Sequence, residues 1–145
     1  MHDELLRLLG TTGNPVADLA ATTTGTGVFF GDNRGGVATL RVAGDVTGTN
    51  PTLDAKLQAS ATIGGSYADI ATFPQVTDEM VGYIATATPR PEVPGETPLR
   101  ASFMMPDGKP WLRVVCTLGG TTPVFNDVSV EVRPTAEAVI ASGVL

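Results

Sequence analysis

The chain has 145 residues, 42% of them hydrophobic and 17% charged, with a formal net charge of −6. That length suits one domain with a core of its own, and the acidic balance without a basic stripe excludes the phosphate neutralisation that nucleic-acid binding needs. One cysteine excludes an internal disulfide and a multi-cysteine metal centre, and no apolar run reaches the length of a membrane span.

In chain order, Asp3 to Leu9 reads as a short N-terminal helix or arm. Asp3 caps it, Leu5, Leu8 and Leu9 share one face, and Gly10 ends it. The head MHDELLRLLG is too short and too acidic for a signal peptide, so synthesis and folding in a cytoplasm are expected. After a turn at Thr11–Pro15, short strands are expected around Ala17–Thr22 and Gly27–Phe30. The cluster Gly31-Asp32-Asn33-Arg34-Gly35-Gly36 is a turn, where Asp32 and Asn33 bond their own backbone more readily than a cation.

Val37–Ala43 alternates, with Ala38, Leu40 and Val42 inward. Gly44–Pro51 reads as a loop, and Thr52–Ser60 alternates again, with Leu53, Ala55, Leu57 and Ala59 inward. Tyr67–Thr72, Val81–Thr88 and Leu99–Met105 complete the middle set of strands. Pro89–Pro98 holds four prolines and reads as an extended loop, because proline cannot donate to a ladder. From Pro110 to Val132 two β-branched runs flank Gly119-Gly120-Thr121-Thr122-Pro123, which predicts a long antiparallel hairpin. Leu112, Val114, Cys116 and Leu118 share one face of the first run, and Val124, Val128, Val130 and Val132 one face of the second.

The expected fold is therefore all-β, an antiparallel β-sandwich of about eight strands in jelly-roll or related Greek-key order. An arm over residues 1–15 precedes a sandwich domain over 16–133, and a small apolar tail over 134–145 follows it.

Little in the chain points to catalysis. His2 sits near the N-terminus, where no base is held against a nucleophile. Cys116 lies on an apolar strand face, where a free thiol behaves as a small hydrophobe. Asp54, Asp69, Asp127 and Glu131 fall on outward strand positions, dispersed rather than paired. No phosphate-binding loop, dinucleotide fingerprint or zinc spacing occurs, so neither cofactor nor metal is expected. Trp111 and Tyr67 are the candidates for a sugar-stacking platform, among eight aromatics in all.

Two stretches carry a family resemblance. Leu53-Asp54-Ala55-Lys56-Leu57-Gln58 with Gly64-Gly65-Ser66-Tyr67-Ala68-Asp69-Ile70-Ala71-Thr72-Phe73 resembles the L-D-V-x-L-Q-x-S…G-x-W-x-D-I…F pattern of small β-sandwich proteins of tailed-phage structural clusters. Trp111-Leu112-Arg113-Val114-Val115 with Gly119–Phe125 resembles the Y-L-R-V-x…G-T-x-P-x-F stretch of the same group. Tyr67 stands where that pattern has tryptophan, and Ala59 follows Gln58.

The resemblance implies a non-enzymatic capsid decoration (cement) protein at the virion surface. It would bind the major capsid protein, as a trimer matched to the threefold sites of a capsid lattice, without contacting nucleic acid or membrane. Leu5, Leu8 and Leu9, with Val139, Ile140, Val144 and Leu145, are the expected capsid or subunit contacts. The alternative is a carbohydrate-binding β-sandwich displayed on a virion for attachment to host glycans, with Trp111 and Tyr67 stacking on sugar rings.

Overall fold

Ten antiparallel strands account for most of the described residues. A computed structural model describes residues 6–9, 17–77 and 99–135. The strands are β1 (Leu6–Leu9), β2 (Ala17–Leu19), β3 (Thr23–Thr24), β4 (Val28–Phe29), β5 (Gly35–Val42), β6 (Val46–Ser60), β7 (Ala68–Thr72), β8 (Val76–Thr77), β9 (Leu99–Met104) and β10 (Trp111–Pro134). The fold is all-β, an antiparallel sandwich closed almost to a barrel. No helix among the described residues is long and apolar enough to cross a membrane. The expected strand at Val81–Thr88 and the proline-rich stretch lie outside the described residues.

The organising element is β10, 24 residues long. The main sheet runs β7-β6-β10-β5-β9, with β10 in the middle of both layers. Its first half pairs with β6 from Trp111↔Ser60 to Phe125↔Val46, and its second half with β5 from Val128↔Val42 to Pro134↔Gly36. On its other edge it takes β4 and β3 along the first half, then β2 and β1 along the second.

The expected hairpin at Gly119–Pro123 is thus corrected: the two runs are one continuous strand that never pairs with itself. The turn-forming residues make bulges instead. Gly120 and Thr122 have φ of 98° and 46°, and opposite them Gly48 and Asn50 have φ of 111° and 50°. The register slips twice there, between Gly119 and Thr121 and between Thr121 and Val124. A side chain on Gly120 would begin 2.4 Å from the Asn50 carbonyl oxygen, so the two backbones meet where only glycine fits. The same excursion lets Pro51 sit inside β6, although Gly44–Pro51 reads as a loop in the sequence.

Each bulge also shifts which side chains face inward. Leu112, Val114 and Cys116 are buried, then Phe125 in place of Val124, then Val128, Val130 and Val132 after a second kink at Asp127 (φ 57°). These residues pack against Ala38, Leu40 and Val42 of β5 and Leu53, Leu57 and Ala59 of β6 in one core cluster. The inward sets of β5, of β6 from Leu53 and of the first half of β10 are those that period-two alternation predicts.

The expected N-terminal helix is also corrected. Leu6–Leu9 is strand β1, paired with β10 from Leu6↔Val132 to Leu9↔Val130. A register shift between Arg7 and Leu9 turns two consecutive leucines, Leu8 and Leu9, into the core. That bulge reproduces in a strand the adjacent apolar pair that reads as a helical face.

Candidate functional site

The first half of β10 presents Trp111, Arg113, Val115 and Thr117 on the outer surface of one layer, opposite the core-facing Leu112, Val114 and Cys116. The register sets Ser60, Gln58, Lys56 and Asp54 of β6 beside them in that order. Asp69 of β7 lies across from Gln58, and Phe29 of β4 across from Trp111. Backbone pairing alone therefore gathers residues from four strands onto one face. At 3.3 Å per residue the face runs roughly 20 Å from Trp111 to Thr117.

Its upper end is aromatic. The rings of Phe29 and Trp111 meet edge to face, with centroids 5.4 Å apart and planes at 83°. Phe29 is 61% exposed and Ile63, in the loop after β6, is 53% exposed. Trp111 is half-buried.

The middle of the face is a fixed polar row. The Gln58 amide donates from Nε2 to Asp69 Oδ1 at 2.8 Å and accepts at Oε1 from Arg113 Nε, also at 2.8 Å. Both ends of that amide are engaged, which sets its orientation. Lys56 Nζ lies 3.3 Å from Asp69 Oδ2. The hydrogen bond from Gln58, with that from Lys56, holds the Asp69 carboxyl below its ordinary range. The Arg113 guanidinium stacks on Tyr67, 3.9 Å from the ring centre, and the Tyr67 hydroxyl donates to the Ile63 carbonyl at 2.8 Å. Gly27 lies under that hydroxyl, where a Cβ would come within 2.3 Å of it. At the lower end Asp54, Lys56, Thr72, Phe73 and Thr117 line a hollow of about 320 Å³.

Of the two residues expected to stack on sugar, both lie on this face. Trp111 contributes to the aromatic end, whereas Tyr67 has one ring face covered by Arg113 and acts as a clamp on the polar row. The partner that sequence reasoning missed is Phe29. Its signal was the pair Phe29-Phe30 in a strand, where alternation must turn one ring outward and the other, buried Phe30, inward.

The expected capsid contacts fare differently. Leu8 and Leu9 are 1% and 3% exposed, so in this fold they are core residues. Leu5, Val139, Ile140, Val144 and Leu145 lie outside the described residues, as does His2.

Several other polar groups among the described residues have local partners. Asp32 Oδ2 accepts from the Gly108 N–H, and Asn33 donates to Asp107, tying two turns together. Asp54 accepts from Gln75, Glu131 from Arg7, and the Asp127 N–H donates to Asp18. Burial pushes the Cys116 thiol up to about 12, which leaves it protonated and unreactive. Among the described residues no three His, Cys, Asp or Glu side chains gather in a way that could hold a metal ion.

No family model and no curated protein matches the chain. One solved structure similar to it is the Clostridium thermocellum endo-1,4-β-D-xylanase 10B, as its CBM22-1–GH10 modules complexed with xylohexaose. The identity is 14% and the TM-score 0.45, over 89% of this chain. The chain spans about a quarter (24%) of the length of that structure's chain.

Proposed function

We propose that this chain is a non-catalytic carbohydrate-binding β-sandwich, whose binding surface is the outer face of β4, β10, β6 and β7. The observation that supports this reading is the edge-to-face pair of exposed Phe29 and half-buried Trp111 running into the Arg113–Gln58–Asp69 row on one face. A sugar ring offers polarised C–H groups that suit the negative face of an aromatic ring, and hydroxyls that suit planar polar side chains. The Gln58 and Arg113 side chains are held before any ligand arrives, so little rotamer entropy is lost on binding. An extended face of roughly 20 Å accommodates an oligosaccharide lying along β10 better than a single sugar.

The phage resemblance supplies the setting: display on a virion, after synthesis in the host cytoplasm, as a homo-oligomer such as a trimer. The same resemblance supports a second reading, capsid decoration through contact with the major capsid protein. One observation favours it: the two resembling stretches are hydrogen-bonded neighbours, paired from Leu118↔Leu53 to Arg113↔Gln58, so the likeness falls on one structural unit. In that reading Phe29, Ile63 and Met104 are exposed apolar side chains among the described residues that are available for the capsid contact, whereas Leu8 and Leu9 are buried.

A glycan array probed with the labelled chain, beside cosedimentation with capsids that lack it, separates the two. The carbohydrate reading expects saturable binding to a glycan class that Trp111→Ala and Phe29→Ala each weaken roughly tenfold, about 1.4 kcal/mol. Capsid binding with no glycan bound would overturn it in favour of decoration.

A further inference from the structure

The lower end of the candidate face is built as firmly as its aromatic end. Asp54 and Lys56 of β6 stand two positions apart, Thr117 of β10 lies across from Asp54, and Thr72 of β7 lies across from Lys56. These four side chains, with the buried Phe73, line the hollow of about 320 Å³. The bend from β7 to β8 fixes its wall: the Phe73 N–H donates to the Ala55 carbonyl at 2.9 Å, and Gln75 Nε2 donates to both Asp54 carboxylate oxygens at 3.1 Å. That volume is at the small end of ligand sites, which run about 300–1,000 Å³. The hollow offers a carboxylate that accepts, an ammonium that donates and two hydroxyls that do both.

The charges of the face cancel. Its ionised side chains are Asp54, Lys56, Asp69 and Arg113, two of each sign. Lys56 pairs with Asp69, while Arg113 and Asp54 are engaged by the neutral amides of Gln58 and Gln75. The segments that border the aromatic end, residues 19–31 and 59–68, contain Ser and Thr but no charged residue.

We propose, resting on the carbohydrate reading above, that the ligand of this face is a neutral oligosaccharide held at two anchors: one ring against Phe29 and Trp111, another in the hollow between Asp54, Lys56, Thr72 and Thr117. The charge class follows from the balance. An anionic sugar meets Asp54 and Asp69 on a chain of net charge −6, and a cationic one meets Lys56 and Arg113. Sugar hydroxyls, which both give and accept, find partners along the whole row without displacing its internal bonds. The length follows from the spacing. The anchors stand at opposite ends of a face roughly 20 Å long, which a single ring or a disaccharide cannot span. Once one anchor holds the chain, the second binds it intramolecularly, so affinity grows with no new contact at the first.

The test is calorimetric titration of the full chain with neutral oligomers of glucose, mannose and galactose, from disaccharide to hexasaccharide, beside galacturonate oligomers of the same lengths. Affinity for the neutral series that binds should rise roughly tenfold or more from disaccharide to hexasaccharide, and galacturonate should bind more weakly at every length. Asp54 and Thr117 are exposed, so the Asp54→Ala/Thr117→Val double variant removes one anchor without opening the core. It should weaken the hexasaccharide roughly tenfold and bring the ratio of hexasaccharide to disaccharide affinity towards one. Equal affinity for disaccharide and hexasaccharide would overturn the two anchors and leave the carbohydrate reading standing. So would a hexasaccharide affinity that the double variant leaves unchanged. Tighter binding of galacturonate would overturn the neutral class on the same terms. No binding by any oligomer would overturn the carbohydrate reading itself, and this proposal with it.

Discussion

The Arg113 guanidinium lies 3.9 Å from the centre of the Tyr67 ring, and its Nε donates to Gln58 at 2.8 Å. One side chain thereby joins the loop after β6 to the hydrogen-bonded row that crosses β10, β6 and β7. A cation over an aromatic ring contributes about 0.5–1 kcal/mol at exposed sites and about 2 or more when desolvated. A double-mutant cycle on Arg113→Ala and Tyr67→Ala, followed by urea unfolding, should return a coupling energy of about 0.5–2 kcal/mol. Additive effects would mean that the stacking contributes nothing.

Asp69 should titrate below an ordinary aspartate, because the Gln58 amide and the Lys56 ammonium both favour its charged form. A carboxyl with a lowered folded-state pKa adds stability above its unfolded pKa and loses it as pH falls through the folded value. Carboxyl NMR titration of the wild type and Gln58→Ala checks this: the substitution should raise the Asp69 pKa towards its ordinary value.

Cys116 gives the opposite, alkaline window. Its thiol is held protonated to about 12 when folded, against an ordinary value of 9.0. Between those values the unfolded chain has lost the proton and the folded chain keeps it, so stability falls as pH rises, by up to about 1.4 kcal/mol per pH unit. Unfolding measured from pH 8 to 11 should show that slope in the wild type and lose this contribution in Cys116→Val. A thiol reagent should label native Cys116 only as fast as the core opens.

Removing the N-terminus should unfold the domain rather than free a surface. Leu8 is 1% exposed and β1 covers the second half of β10. Leu8→Ala should cost about 2–5 kcal/mol, and deletion of residues 1–10 should cost more, measured by chemical denaturation. A deletion variant as stable as the parent would show that β1 is dispensable.

The bulge opposite Asn50 makes a local prediction. Gly120→Ala places a Cβ on a residue with φ of 98°, 2.4 Å from a carbonyl oxygen. Strain of this kind costs on the order of 1–3 kcal/mol. Gly64→Ala, where a Cβ meets nothing within 4 Å, is the control.

These sites show what the sequence reveals and what it conceals. Ala38, Leu40 and Val42, or Leu53, Leu57 and Ala59, are legible as inward because an uninterrupted strand keeps its alternation. Where a bulge intervenes, the alternation breaks, and local rules give the wrong answer. The bulge between Arg7 and Leu9 made a strand resemble a helix, and those around Gly120 made one strand resemble a hairpin. A Gly-Gly-Thr-Thr-Pro sequence is equally suited to either. Whether it turns depends on distant partners: Val46–Ser60 pairs with the chain on both sides of Gly119–Pro123 as far as Phe125, and Gly35–Val42 takes the run from Val128 onwards. The candidate sites were hidden for a related reason. Phe29 and Trp111 are 82 positions apart, and Arg113, Gln58 and Asp69 come from three strands, so only cross-strand register brings them together.

The chain has one tryptophan, Trp111, and it stands at the aromatic end of the candidate carbohydrate face. Fluorescence titration of the full chain against a panel of oligosaccharides therefore reads the proposed surface with no added label. A bound sugar ring should shift or quench the Trp111 emission saturably with at least one glycan class, and Phe29→Ala should weaken that response. Emission that no oligosaccharide changes, from a chain that is folded, would contradict the assignment of this face to carbohydrate.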